Sequence, residues 1–379
     1  MRKIALIIVV ILLFSLGCGH SDSAPEDGPP AGEGAPVEET PATEGNDPPE
    51  DGQPVEGEDP EEASPGEVAE GEPVPVDTGP DSGLPPNELG YVPVLMYHHL
   101  GPEEATWTRT PENFRGDMEF LYDRGYRPVS MAEYVSGEID LPRGTSPVVI
   151  TFDDGLASQL RWGEGGVGDP DPACAVGIML DFAAEHPGFE ARAIFYLNSP
   201  RPFHPLPSED IPATLAWLVE NGFELGSHTH YHADFREVRD ETEVQRVIAL
   251  PQKMVEEAVP GYRIESFALP YGLWPSNREL AHAGSYEGIE YRHDSVVLVG
   301  AQPAPSPFSE EFDPLATPRI RASQDQWDLW FEELDGGGRG RYVSDGDPTT
   351  IAAPESSMQR LSPGAVGDRD VVIIDVEDE

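Results

Sequence analysis

Two short stretches of this sequence hold residue types that do chemistry, and each closes an apolar run. The segment "VVITFDDG", Val148 to Gly155, ends on the adjacent carboxylates Asp153 and Asp154. Adjacent carboxylates repel, so a pair at the end of a buried strand calls for a cation or a reaction to offset its cost. The segment "GSHTHYHADF" supplies His228, His230 and His232. His228 and His232 are four residues apart, so on a helical turn their rings project from one face. Two imidazoles and a carboxylate form a set that suits a divalent metal and leaves a position open for water. One Asp of the pair then binds the metal and the other acts as a base, and the metal's charge relieves their repulsion. Taken singly, the first stretch is an acidic turn and the second a surface histidine cluster. Taken together, each at the end of a predicted strand, they are much harder to dismiss as chance. "MYHH" (Met96 to His99) and "LPYG" (Leu269 to Gly272) end predicted strands in the same way. In parallel α/β folds the strand C-termini form the active face.

The elements that must position these residues begin at Tyr91. Strands are predicted over 92–97, 147–152, 191–197, 223–227, 265–269 and 295–300, as short apolar runs between helical stretches. "TPENFRGDMEFLYDRG" has Thr110 as cap, Pro111 at the first helical position, and Phe114, Met118 and Leu121 on one face. "SMAE", Ser130 to Glu133, is a capping box. "IPATLAWLVENG" places Ile211, Leu215, Leu218 and Val219 on one stripe and stops at Gly222. This alternation predicts an α/β domain with a mostly parallel sheet, open or closed as a barrel. The Gly/Pro-rich loop from Leu160 to Cys174 follows the paired Asp directly, and loops of that length are usually functional or disordered. Near the end, "DVVIIDV" reads as one further strand.

The N-terminal part is of another kind. "MRKIALIIVVILLFSLGCG" has Arg2 and Lys3 before a short apolar run from Ile4 to Leu13, the pattern of an export signal over residues 1–18. Its "SLGC" ending resembles a lipoprotein signal, which would make Cys18 the lipidated N-terminus; Ser15 stands where such signals usually carry Leu. Residues 19–90 follow as a Pro/Gly/Glu-rich tract with 21 Asp/Glu and no Lys or Arg after Ser21. Such a composition cannot bury enough apolar surface to order itself, and predicts a disordered acidic spacer. With a net charge of −48 overall and only Lys3 and Lys253 as lysines, the chain lacks the basic face that nucleic acid requires. Cys174 is the only other cysteine, so a lipidated Cys18 leaves no internal disulfide.

The chain resembles the polysaccharide deacetylases of carbohydrate esterase family 4, the NodB-homology domain. The motifs carrying this likeness are "TFDDG", the His-Thr-x-x-His of "HTHYH", and the Pro-Tyr-Gly turn, in that order, within residues 91–321; 322–379 would be a C-terminal extension packed on the domain. The opening "PVLMYHH" resembles a subgroup in which one catalytic strand stands first, a circular permutation of the usual order. The resemblance implies a distorted (β/α) barrel and metal-dependent removal of acetyl groups from a glycan. It implies Asp154, His228 and His232 as ligands of a divalent metal, most often zinc, and Asp153 as general base. His98 would be the general acid, and the backbone N–H of Tyr271, in the turn opened by Pro270, would hold the oxyanion. His230 and His99 are expected to point away from the site, and Trp162 and Trp274 either stack on sugar rings or anchor loops.

The family pattern is departed from in two places. Ala268 fills the position of an Arg that in many members orients the catalytic Asp, and the Asp-x-x-Asp-Trp motif that partners this Arg is absent. Arg161, in the loop after the paired Asp, is the expected substitute. The functional expectation is an exported, lipid-anchored deacetylase of an envelope or exported polysaccharide, facing the periplasm or cell exterior, or secreted. Its alternatives are an inactive glycan-binding protein on the same fold and a hydrolase of small amides.

Overall fold

The helix signals form as written in the sequence. In the computed structural model, which describes residues 77–300, 302–336 and 340–375, α1 (Pro111–Asp123) starts where the Thr110 hydroxyl accepts from the Asn113 N–H. It buries Phe114, Met118 and Leu121. The reciprocal capping box of Ser130 and Glu133 opens α2 (Met131–Ser136), and Gly137, at φ 73°, closes it in the left-handed region that favours glycine. Further helices are α3 (Ala175–Glu185), α4 (Ile211–Glu220), α5 (Glu241–Ala258), α6 (Glu279–His282) and α7 (Gln324–Asp335). In α4 the buried stripe is Ile211, Thr214, Leu215 and Leu218, with Val219 only half-buried. None of the helices described is long and apolar enough to cross a membrane.

Eight strands make the main sheet: β1 (Val94–Tyr97), β2 (Tyr126–Pro128), β3 (Ser146–Phe152), β4 (Ile194–Ser199), β5 (Glu224–His230), β6 (Ser266–Ala268), β7 (Ser295–Val297) and β8 (Ile320–Arg321). Their order is β7-β6-β5-β4-β3-β1-β8, with β2 beside β3, and every pairing is parallel. Parallel neighbours need crossovers, and helices α1 to α5 supply them. β3 is buried along its whole length, as a central strand covered on both faces must be. The sheet curls until its edges are tied by one segment: Thr317 bridges Val297 of β7, and β8, three residues on, pairs with β1. The result is a distorted (β/α) barrel, with all strand C-termini at one end.

The folded part reaches beyond the boundaries expected from sequence. Ser82 and Asn87 hydrogen-bond to the backbone of Gly144 and Val343, and Glu88 and Leu89 are buried, so residues 82–90 belong with the barrel rather than with a spacer. At the other end, Trp327, Phe331 and Leu334 of α7 are part of the main core. The "DVVII" run forms a strand, Asp370–Ile374, but pairs with Thr350–Pro354 in a separate two-stranded sheet. The signal segment, Cys18 and the spacer up to residue 76 lie outside the described residues.

Glu88 gives the fold a testable pH response. Burial pushes its carboxyl up to about 7, against the hydrogen bonds from the Ala352 and Asp345 N–H groups and Tyr342. A carboxyl raised on folding binds its proton more tightly in the native state. Its contribution is therefore complete below about pH 4.5 and lost as pH climbs to about 7. The loss is on the order of 3 kcal/mol. The melting temperature of the protein is expected to fall across this window, and that of Glu88→Gln to fall less, in thermal denaturation at pH 5, 6, 7 and 8. Equal slopes for both proteins are the contrary result.

Candidate active site

The end of β3 turns sharply. Asp154 takes φ 78° and Gly155 φ 63°, so the two carboxylates leave the strand in different directions. Asp is among the few residues that tolerate this region. Asn198, near the end of β4, donates from Nδ2 to Asp154 Oδ1 (3.2 Å) and to its carbonyl (3.3 Å). Asp153, 1% exposed, stays inside the barrel. Gln159 donates from one Nε2 to the carbonyls of Asp153 (2.5 Å) and His98 (2.8 Å), which ties the end of β3 to the end of β1.

The histidines arrive by a different route from the helical turn expected. β5 continues through His230, and Thr229, Tyr231 and His232 all have positive φ (70°, 56° and 51°). These left-handed residues fold the chain back and return His232 to the face of His228, with ring centroids 4.7 Å apart. Tyr271 in the Pro270–Gly272 turn is also left-handed (φ 56°). Five of the seven non-glycine residues with positive φ among those described thus border one site, where strain is typically held in place by surrounding structure. The rings of His230 and His99 point away: His230 Nδ1 pairs with Ser199 Oγ (2.8 Å), and His99 is exposed.

His228 Nε2 and His232 Nε2 lie 3.5 and 3.6 Å from Asp154 Oδ1. The ligand atoms of these three residues all fall within 4.8 Å of one another. Tetrahedral ligands at about 2.0–2.1 Å from a zinc-sized ion sit roughly 3.4 Å apart, so the spacing fits a divalent cation. His228 Nδ1 lies 2.8 Å from the Ala268 carbonyl, which sets its proton there and leaves the Nε2 lone pair toward Asp154. Burial, and next to it His228, push the His232 imidazole down to about 4, so the ring is neutral, as a ligand must be.

Asp153 has the partner that the sequence did not reveal. Arg319, fully buried and just before β8, gives a two-pronged pair: NH1 to Oδ1 at 2.7 Å and NH2 to Oδ2 at 2.8 Å. The guanidinium is itself fixed, by Nε to the Leu298 carbonyl (2.8 Å) and NH1 to Thr151 Oγ1 (3.0 Å). Burial alone raises the Asp153 carboxyl; Arg319, with His228 and His98, outweighs it and holds the group well below the usual carboxylate range. The Asp153 carboxyl is therefore ionised. Arg161 does not take this role. It is 40% exposed and pairs through Nε with Asp171 Oδ2 at 2.8 Å within its own loop. Arg161→Ala is accordingly expected to keep acetate-release activity within about twofold of wild type, since exposed pairs contribute little.

His98 stands across from Asp153, with Nε2 3.8 Å from its Oδ2. Burial lowers its imidazole against the pull of Asp153 and Asp154. A lowered pKa makes its protonated form the stronger acid toward a leaving group. The Tyr271 ring packs edge-on to His232 at 4.4 Å, which brings the Pro270–Gly272 turn beside the metal-ligand set. Trp162 packs on Trp217 and donates to Thr214 Oγ1, and Trp274 lies under Arg278: both are loop anchors in this structure. His204 is exposed on a loop joined to Leu156.

Asp153 and His98 thus stand beside the Asp154, His228 and His232 set at the strand ends of the barrel. Residues 141–288 match the sequence model of the family described as Polysaccharide deacetylase. Over that span the chain has the sequence pattern of a polysaccharide deacetylase. The matched span includes Asp153, Asp154, His228, His232 and Tyr271, and leaves His98 and Arg319 outside it. No curated protein matches the sequence. Among solved structures, it is similar to BC0361, a polysaccharide deacetylase from Bacillus cereus, with 18% identity over 63% of this chain and 68% of that one (TM-score 0.45). It is also similar to the Streptococcus pyogenes deacetylase PplD in complex with acetate (17%, 63% and 97%, TM-score 0.46). IcaB from Ammonifex degensii gives 18% identity over 66% and 98% of the two chains, with a TM-score of 0.44.

Proposed function

We propose that this deacetylase is metal-dependent and removes N-acetyl groups from an envelope or exported polysaccharide. The observation that carries the proposal is the ionised Asp153, locked by Arg319, directly beside the Asp154–His228–His232 set. A divalent cation held by those three residues, zinc by the donor set, would polarise the acetyl carbonyl and acidify a water. Asp153 takes the proton from the attacking water, and the fork of Arg319 keeps its oxygens aimed while it does so. His98, with Nε2 3.8 Å from Asp153 Oδ2, delivers a proton to the leaving nitrogen. The backbone N–H of Tyr271 steadies the developing oxyanion. The N-terminal sequence supports export, with Cys18 as a lipid anchor and the acidic tract holding the domain off the membrane surface. The position of His98, directly after β1 and ahead of β3 in the chain, supports the permuted subgroup.

The test is acetate release by the full chain from chitooligosaccharide, peptidoglycan fragments, poly-N-acetylglucosamine and acetylxylan, with zinc and with chelator. Release from the N-acetylated glycans that chelator abolishes and zinc restores is the expected result. Release from acetylxylan alone would move the assignment to ester cleavage. No release from any glycan by protein with bound metal would favour a binding protein on this fold.

A further inference from the structure

Trp107 has no part in the motifs, yet it sits against His98, the proposed general acid. Its ring centroid is 4.8 Å from that of His98, and 43% of the residue is exposed. Below it lies a small cavity of about 10 Å³, closed by buried Met96, Tyr97 and Arg109 and shared by His98 and Arg321. The Arg321 guanidinium stands 5.4 Å from the Trp107 centroid. These neighbours support the ring from the protein side, which leaves its outer part to solvent. The loop is firmly held. His99 N–H donates to the Trp107 carbonyl (3.0 Å), and the next residue but one, Arg109, is fixed by Asp117 and Glu104.

The other side of the site carries a matching feature. Tyr271 is 58% exposed beside His232, and Tyr231, next in chain to His232, is 72% exposed. Among the described residues, the exposed large apolar side chains that are aromatic are these two and Trp107. Trp107 belongs to the β1 side of the barrel end and Tyr271 to the β6 side, with β3, carrying Asp153 and Asp154, between them in the sheet. An aromatic face offers a large rigid surface to the flat, C–H-lined face of a sugar ring, at little entropic cost.

We propose that Trp107 forms a sugar-binding subsite on the His98 side, and that Tyr231 and Tyr271 form its counterpart beyond His232. A glycan seated over Asp153 and Asp154 then has units bound on both sides of the one being deacetylated. The substrate class is accordingly the interior of an N-acetylhexosamine chain rather than a monosaccharide or a chain end. This rests on the deacetylase reading of the site, and refines it.

The experiment compares full-length wild type, Trp107→Ala and Trp107→Phe on chitopentaose, chitobiose and an aryl acetate. In wild type, kcat/KM is expected to rise steeply from chitobiose to chitopentaose. In Trp107→Ala the ratio of kcat/KM for chitopentaose to that for the aryl acetate is expected to fall about tenfold, mainly through KM, with Phe restoring most of it. An unchanged ratio, with both substrates slowed alike, would show that Trp107 only supports His98 and would overturn the subsite. Calorimetric binding of chitopentaose to Asp153→Asn, with and without Trp107→Ala, reads the subsite without turnover. A roughly tenfold weaker complex upholds it even if no glycan is deacetylated, and equal affinity refutes it.

Discussion

Asp153→Asn is expected to lower kcat for acetate release about 10³-fold while zinc binding is retained. General-base removal alone accounts for 10²–10⁴-fold. The amide is nearly isosteric with the carboxylate but cannot accept a proton, and its NH₂ would face the Arg319 guanidinium. Asp154, His228 and His232 keep their places, because Asn198 and the Ala268 carbonyl hold two of them independently of Asp153. Metal content of the purified variant, measured beside kcat, separates the two functions. A variant that loses activity and metal together would mean that Asp153 is a ligand. One that keeps more than a tenth of wild-type activity would mean that the base lies elsewhere.

Arg319→Gln is expected to cost about 10²-fold in kcat and to destabilise the fold by roughly 3–5 kcal/mol, the usual cost of stranding one member of a buried ion pair. The guanidinium has no exposure and makes bonds to Asp153, Thr151 and Leu298, so no water can replace it. Its catalytic effect runs through Asp153. In the double variant Asp153→Asn/Arg319→Gln, activity is therefore expected to match that of Asp153→Asn alone rather than fall by both factors. Arg319→Lys keeps the charge but not the two-pronged geometry, and is expected to recover only part of the rate. Full additivity in the double variant would assign Arg319 a role independent of the base.

The features that were legible in the sequence are those written locally. Thr110, Pro111, Ser130, Glu133 and Gly137 act on backbone groups within a few residues of themselves, so the starts and stops of α1 and α2 follow from neighbours in the chain. The apolar runs ending in Asp153 and His228 likewise announce strands with polar tips. Helix α5 carries Pro251 in its interior, which by local preference argues for a break; its buried face of Val244, Val247, Ile248 and Val255 holds it regardless.

Arg319 shows where such reading stops. It follows Asp153 by 166 residues and sits in no motif, whereas Arg161, the arginine nearest in sequence after the paired Asp, serves only Asp171. What brings Arg319 to the base is the parallel pairing of β8 with β1 and the Thr317 bridge to β7, which close the barrel. The same holds for His98 and Trp107, whose relation to the metal-ligand set depends on β1 lying beside β3. By itself, the sequence determined which residue types stand at the strand ends, and hence the chemistry on offer. The tertiary structure alone decided which of them meet, because strand order is set by non-local packing and hydrogen-bond pairing, and neither leaves a mark on the spacing of residues along the chain.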